Sequence, residues 1–288
     1  MTHWLLPLLL GAWYCATPIA FAAVAGVVSE RAGVPNIALE GYLLASAFAA
    51  VAAGQHGAVL GLIAGLAVST LLGLILAALT QNLRINPIVS GIGMSMFAAG
   101  ATQYLGTTLY PSGVEVAGFS RWPFMVLALI LPFATAYLLA NTRFGLRLRA
   151  VGEDPGAARM AGIDPRRVRY AALALSGTLC GLGGVFLSMV DAHTFASNMS
   201  AGRGYIALAL VVFGGWKPVR VALGALMFGF LFALQTQVQI SNWRLHALGI
   251  DFSNSLLLDA LPYLMTVVVV AVAALRVTPP RALSNPES

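Results

Sequence analysis

Long, uninterrupted apolar stretches recur along nearly the whole chain, and they constrain its fold more than any other feature. A helix needs about 20 apolar residues to cross the roughly 30 Å hydrocarbon core of a bilayer. A transmembrane barrel would show alternating apolar and polar residues instead. Charged residues make up only 9% of the chain, whereas soluble domains have about 25%. The sequence therefore predicts an all-α, polytopic membrane helix bundle.

Hydropathy predicts about nine spans, within a range of about eight to ten that includes short or re-entrant segments. Residues 37–53 and 205–216 are the poorest of them, and the second is only about 18 Å long at 1.5 Å per residue. Short segments in corresponding places indicate an inverted repeat with broken helices around a central site. The alternative is that residues 205–216 are re-entrant or continue into a neighbouring segment. The predicted spans are residues 4–28, 37–53, 58–80, 88–108, 123–141, 170–190, 205–216, 219–238 and 256–275.

The placement of Lys and Arg gives a predicted orientation. If the N-terminus is outside and the chain crosses nine times, the outer segments hold only Arg121, Arg203 and Arg244 of the 16 Lys and Arg residues. Cytoplasmic loops of membrane proteins carry such an excess of positive charge. We therefore expect an outer N-terminus and a cytoplasmic C-terminus. The net charge of +6 follows from this placement of Lys and Arg and does not indicate a nucleic-acid partner. One transmembrane domain covers 1–276, with a cytoplasmic loop at 142–169 and a short, disordered cytoplasmic tail at 277–288.

The loop at 142–169, which we call the basic loop, contains seven arginines and a capped helix signal. Asp154 is a good N-cap, Pro155 suits the first helical position, and Gly162 supplies a stop. These signals predict a two-turn helix over 155–161. A helix this short is marginal in water and needs a surface to dock against. Either anionic lipid headgroups or the groove of a soluble partner would serve.

Two further stretches carry polar residues beside apolar ones. In GVPNIALEGYLLASAF (33–48), Asn36 and Glu40 share a helical face, and Glu40 lies inside an apolar segment. Such a carboxylate is either a functional group or a structural one, which lies at the headgroup level or forms hydrogen bonds with the end of a helix. In GRGYIALALVVFGGWKP (202–218), Gly202 and Gly204 flank Arg203, which indicates close backbone packing. Gln235 and Gln239 share a face of the next span, where they either line a polar path or bond a neighbouring helix.

The sequence holds no catalytic or metal-binding pattern. The two cysteines and four histidines lack metal-ligand spacing. There is no Ser/His/Asp order, paired-carboxylate site or Walker-type glycine loop. We predict that the chain is not an enzyme, binds no cofactor or metal, and leaves any ATP chemistry to another chain.

Together, the stretches GVPNIALEGYLLASAF, TRFGLRLRAVGEDPGAARMAGID and GRGYIALALVVFGGWKP resemble the permease subunits of bacterial ABC importers. The superfamily includes ribose-type sugar and branched-chain amino-acid permeases. The NIALEG version is most similar to the nucleoside and simple-sugar branch. The resemblance covers residues from about 33 to 275. Each motif alone is weak evidence for the family, but the three motifs in this order are fairly specific.

The resemblance implies an inner-membrane permease that imports a nucleoside, nucleobase or simple sugar. Its implied partners are ATPase subunits that hold Mg-ATP, a second and different permease chain, a periplasmic or lipoprotein binding protein, and membrane lipid. The basic loop would hold the coupling helix that docks into the ATPase, through Gly152, Glu153, Asp154, Pro155, Ala157, Ala158, Gly162 and Ile163. Asn36, Glu40 and Gly41 would lie near the translocation path, and Gly202, Arg203, Gly204 and Tyr205 would form a structural motif. Gln235 and Gln239 are candidates for the same path because of their shared helix face, and not because of the resemblance.

Three other interpretations of the sequence remain open. The first is a branched-chain amino-acid permease, whose corresponding stretch we expect to lack the NIALEG carboxylate. The second is a self-contained secondary transporter, in which Glu40 would be the main candidate for ion coupling. The third is an intramembrane enzyme, which the missing catalytic constellation argues against.

Overall fold

The structure is a computed structural model that describes residues 2–110, 113–241 and 279–284. In these ranges the chain is helical and contains no strand, which confirms the predicted all-α bundle. The helices are α1 (Thr2–Arg31), α2 (Leu39–Gly54), α3 (Ala58–Gln81), α4 (Pro87–Leu109), α5 (Arg121–Asn141), α6 (Arg143–Glu153), α7 (Pro155–Met160), α8 (Pro165–Phe186, extended by a π-turn at Leu187–Asp191), α9 (Arg203–Phe213), α10 (Pro218–Ser241) and α11 (Arg281–Ser284).

Five helices among the described residues are long and apolar enough to cross a membrane: α1, α3, α5, α8 with its π-turn, and α10. The helix α4 has 23 residues but is less apolar. The predicted short spans are present as the shorter apolar helices α2 and α9. The predicted span at 256–275 lies outside the described residues. The polytopic bundle is therefore confirmed, and the count of nine spans stays a prediction.

The central helix of the bundle is α1, which packs against α8, α9 and α10. Residues 16–30 of this helix are all buried, including the large side chains Ile19 and Phe21. The helix α8 lies between α1 and α3 and is buried over most of its length. The outward faces of α3 and α5 carry large apolar side chains such as Ile63 and Phe133, as expected of surfaces in contact with lipid.

The contact between α3 and α8 depends on small residues. Gly73 lies against the backbone of Leu173, and Gly177 lies against the backbone of Ser69. The Ser69 hydroxyl donates a 2.7 Å hydrogen bond to the Gly177 carbonyl oxygen. Small side chains let membrane helices approach closely enough for such contacts.

We expect the change Gly73→Ala to destabilise the bundle by about 1–3 kcal/mol, because the new Cβ would overlap the backbone carbonyl of Leu173. The matched control is Gly93→Ala on α4, where a Cβ would meet nothing within 4 Å. Thermal unfolding of both variants in one detergent measures the difference. Equal midpoints for the two variants would show that the α3–α8 contact is less tight than the structure indicates.

One end of the bundle, which we call the basic end, carries Arg31, Arg149, Arg169 and Lys217. There the Arg31 Nε donates to the Trp216 carbonyl oxygen at 3.0 Å. The sequence assigned Arg169 to the exposed basic loop, but α8 begins earlier than predicted, at Pro165. Arg169 is therefore buried, with its guanidinium donating to the Ala32 carbonyl and to the Gln81 amide oxygen. It fastens the ends of α1 and α3 to the start of α8.

The tail differs from the disordered segment that the sequence predicted. Residues Arg281–Ser284 form one helical turn, and Ala282 is buried. A Cβ on Gly33 would come within 2.7 Å of the Ala282 Cβ. The absence of a side chain at residue 33 therefore provides the space in which this turn packs.

Candidate functional site

The helix predicted over 155–161 is present as α7, and both of its ends are capped. The Asp154 Oδ1 accepts hydrogen bonds from the amides of Gly156 and Ala157, at 2.8 and 2.9 Å. Pro155 occupies the first helical position, where no amide donor is needed. At the other end Gly162 adopts φ +77°, a conformation that suits glycine and ends the helix. Local sequence signals thus set both ends of α7.

One side of α7 faces the bundle and the other faces outward. Pro155 and Ala158 are buried, whereas Ala157 and Ala161 are exposed. Met160 is 88% exposed, the largest value among the exposed large apolar side chains of the described residues. Methionine is flexible and common on surfaces that bind a partner. The outward surface of α7 is therefore small and accessible, and it combines Ala157 and Met160 with the exposed Arg159.

The preceding helix α6 holds α7 on the bundle, and the sequence analysis missed it. Thr142 caps α6 by accepting a 3.0 Å hydrogen bond from the Gly145 amide. Its buried side comprises Gly145, Leu148, Val151 and Gly152. A Cβ on Gly152 would overlap the carbonyl oxygen of Arg31, so the end of α6 lies directly on the end of α1. The spacing of the apolar positions was a helical signal, although a short one.

Glu40 lies where α2 and α9 begin. Its Oε1 accepts hydrogen bonds from the Ser200 hydroxyl and from the Gly202 amide, the latter at 2.9 Å. Its Oε2 accepts a 2.7 Å hydrogen bond from the Gly204 amide. A negative group at a helix N-terminus satisfies free amides and favours the helix dipole. Glu40, only 4% exposed, therefore caps α9 from another helix.

The glycines of the second stretch fit this junction. A Cβ on Gly204 would overlap the backbone of Glu40. Gly202 caps α9 with a left-handed φ of +76°. Arg203 turns back to donate to the carbonyls of Met199 and Ser200, while Tyr205 is half exposed. Residues 202–205 and 40 therefore form one unit, which we call the Glu40 junction.

Helix lengths put the Glu40 junction inside the bundle. The 16 residues of α2 and the 11 residues of α9 correspond to about 24 and 17 Å. Neither length spans a hydrocarbon core of about 30 Å. The helix α9 runs from the junction to Phe213, just before the turn that holds Trp216 at the basic end. The junction therefore lies about 17 Å from that turn.

The other residues assigned to a translocation path do not all gather at this junction. Asn36 is fully buried and donates to the Ser176 hydroxyl at 3.1 Å. Gly41 packs on the α4 backbone at Ser95. Gln235 lies on α10 beyond Phe232, whose ring the Arg203 guanidinium contacts at 5.7 Å. The side chain of Gln239 lies outside the described residues. A role for these residues in translocation stays a prediction.

Sequence reasoning also missed a second buried carboxylate. Glu30 is 4% exposed, and its Oε2 accepts a 2.5 Å hydrogen bond from the Trp216 indole. The signal was an acidic residue next to Arg31 at the end of an apolar run. Over residues 2–110, 113–241 and 279–284, no group of three or more His, Cys, Asp or Glu side chains could hold a metal ion.

Comparison with known proteins identifies the family. The model of the branched-chain amino acid transport system / permease component matches residues 8–273. The nucleoside ABC transporter permease protein NupC of Lactococcus lactis subsp. cremoris is 32% identical over 93% of this chain and 92% of its own. The guanosine ABC transporter permease protein NupQ of Bacillus subtilis is 33% identical over 94% and 93%. The ribose import permease protein RbsC of Escherichia coli is 25% identical over 75% and 70%.

No solved structure matches the chain. The family model nevertheless spans most of its length, and the relatives named above are permease proteins rather than enzymes. These matches confirm the resemblance that the three sequence stretches indicated. The chain is thus a transport component, and it belongs to the family of branched-chain amino acid transport system permease components.

Proposed function

We propose that this chain is a permease subunit of an ATP-driven ABC importer in a bacterial inner membrane. The observation that carries the proposal is α7, a helix capped at both ends and held on the bundle by α6. Its exposed side at Ala157 and Met160 provides a small surface for an ATPase groove. The ATPase holds Mg-ATP, and this chain binds no cofactor.

In this proposal the basic end faces the cytoplasm, in accord with the positive-inside rule. The N-terminus is then outside and the C-terminus inside. The close contact between Gly152 and the backbone of Arg31 links the end of α6 to the end of α1. Movement of α7 with the ATPase therefore acts on the central helix of the bundle. The bundle alternates between outward-open and inward-open forms, and the Glu40 junction keeps the start of α9 fixed to α2.

The proposed substrate is a nucleoside, a nucleobase or a simple sugar, delivered by a periplasmic or lipoprotein binding protein. Support comes from the two relatives at 32% and 33% identity, which are named as nucleoside and guanosine permeases. A second, different permease chain completes the pair of subunits. We further propose that Asn36, Glu40, Gly41, Gln235 and Gln239 lie near the path of the substrate.

A self-contained secondary transporter is the other candidate, with Glu40 as its ion-coupling group. The three hydrogen bonds that Glu40 accepts argue against it, because protonation of the carboxylate would disrupt the cap of α9. A structural carboxylate with both oxygens hydrogen-bonded fits an importer driven by a separate ATPase.

The test is purification of the solubilised chain from its native membrane, followed by transport in liposomes. We expect an ATPase and a second permease to co-purify. We also expect ATP-dependent uptake of guanosine rather than leucine when the binding protein is present. Uptake by the isolated chain without ATP, driven by an ion gradient, would overturn the importer proposal. ATP-dependent uptake of leucine alone would overturn the proposed substrate class.

A further inference from the structure

The groove between α5 and α10 has a strongly basic part at the basic end of the bundle. This part is a cleft of about 470 Å³. Its lining includes Arg31 from α1, Arg149 from α6, Lys217 from the turn before α10, and Arg220 from the first turn of α10. Apolar side chains of α5 form the opposite wall. Three helices and a turn thus bring four cations to one cleft.

These cations have few partners of opposite charge. Within the part of the chain that the structure describes, none of the four forms an ion pair with a carboxylate. The Nε of Arg149 is buried and has no hydrogen-bond partner. Glu153 is near enough to attract Arg31, but Arg149 is also near enough to repel it. An anion in the cleft would relieve this repulsion and accept hydrogen bonds from the guanidinium groups.

The groove continues away from the basic end as an apolar cleft of about 70 Å³. Leu129 and Phe133 of α5 line one side, and Ala222 and Leu223 of α10 line the other. Val219 belongs to both clefts, so the two are adjacent along the same pair of helices. A basic cleft beside an apolar one matches a molecule with an anionic head and a hydrocarbon tail.

We propose that the α5–α10 groove is a binding site for an anionic phospholipid. The phosphate lies among Arg31, Arg149, Lys217 and Arg220, and an acyl chain enters the apolar cleft beside Leu223. Basic clefts at the ends of membrane helices suit anionic headgroups in this way. Free phosphate would use the cations but not the apolar cleft. The site is separate from α7 and from the Glu40 junction, and it does not depend on the importer proposal.

Native mass spectrometry of the solubilised full chain tests the site with phosphatidylglycerol, and with phosphatidylcholine of the same chain length for comparison. We expect phosphatidylglycerol to bind at least roughly tenfold more tightly. The double variant Arg149→Gln, Lys217→Gln should lose roughly tenfold to thirtyfold in affinity. The matched control Arg147→Gln, Arg166→Gln removes two exposed arginines from outside the groove and should keep the affinity.

A third variant separates a lipid from free phosphate. Ala222→Phe fills the apolar cleft and should weaken phosphatidylglycerol binding, while inorganic phosphate should not displace the lipid. Unchanged unfolding midpoints confirm that the variants are folded. Equal binding of the two lipids, equal losses in the two double variants, or full displacement by inorganic phosphate would overturn the proposal. So would unchanged binding to Ala222→Phe.

Discussion

The change Glu40→Ala is expected to remove most folded protein from the membrane fraction. It leaves the Ser200 hydroxyl and the amides of Gly202 and Gly204 without an acceptor in a buried site. Each buried donor left unsatisfied costs about 1–3 kcal/mol. The sum is comparable with the roughly 5–15 kcal/mol by which native proteins are stable. Size-exclusion profiles and thermal unfolding of the detergent-solubilised variant measure the loss.

Two further substitutions give this prediction its controls. Glu115→Ala removes an exposed carboxylate and should leave the elution profile and the unfolding midpoint unchanged. Glu40→Gln keeps the size of the side chain but points an amide donor at a backbone donor, so it should also destabilise the chain strongly. An ion-coupling role for Glu40 makes the opposite prediction. A Glu40→Gln protein that is as stable as the wild type, and lacks only transport, would contradict the capping role.

Replacement of Ala157 with arginine should strongly reduce ATP-driven transport while the permease stays folded. Ala157 is exposed on the outward side of α7, so a large charged side chain there would obstruct a docking groove without disturbing the bundle. Loss of a central interface contact costs about 2 kcal/mol or more. We therefore expect recovery of the ATPase in a pull-down, and uptake in liposomes, to fall by roughly 30-fold.

The structure changes which alanine is the right one to test. The resemblance placed Ala157 and Ala158 together in the docking helix, but Ala158 is only 4% exposed. A charge at Ala158 would disturb packing and would not isolate docking. Arg143→Ala, an exposed change on α6, serves as the control and should keep both ATPase recovery and uptake. Wild-type uptake by Ala157→Arg would rule out α7 as the coupling element.

A change at the N-cap of α7 should weaken coupling to the ATPase only partly. Asp154→Ala removes the acceptor of two amide hydrogen bonds and should cost about 1 kcal/mol of helix stability. We expect a smaller loss of coupling than at Ala157, because a frayed α7 can still dock. A larger loss than at Ala157 would mean that Asp154 itself contacts the partner.

Features fixed by nearby residues were predictable from the sequence, and features fixed by distant residues were not. The helix α7 could be predicted because Asp154, Pro155 and Gly162 act within one short segment. The helix α6 was missed because its local apolar signal is short and its buried side packs on a distant element, with Gly152 against Arg31, more than 100 residues earlier. The burial of Arg169 depends on Ala32 and Gln81 in the same way.

The Glu40 junction illustrates the same limit. The sequence identified an unusual carboxylate and a pair of glycines around Arg203, and it left open whether Glu40 is functional or packs a helix end. Glu40 and Ser200 are 160 residues apart, and no local pattern connects them. The sequence analysis paired residues 37–53 with residues 205–216 because both segments are short. The contact between the starts of the corresponding helices, α2 and α9, could be seen only in the three-dimensional structure.

The Glu40 junction also has a consequence for biosynthesis. Ser200 is made 160 residues after Glu40, and ribosomes add about 5–20 residues per second. For roughly 10–30 seconds, therefore, each nascent chain carries a carboxylate in α2 that has none of its three donors. A lone acidic side chain at mid-membrane costs about 2.5–3.5 kcal/mol on the insertion scale. We therefore expect α2 to remain in the translocon or at the membrane surface during that interval, and to join the bundle only after α9 is made.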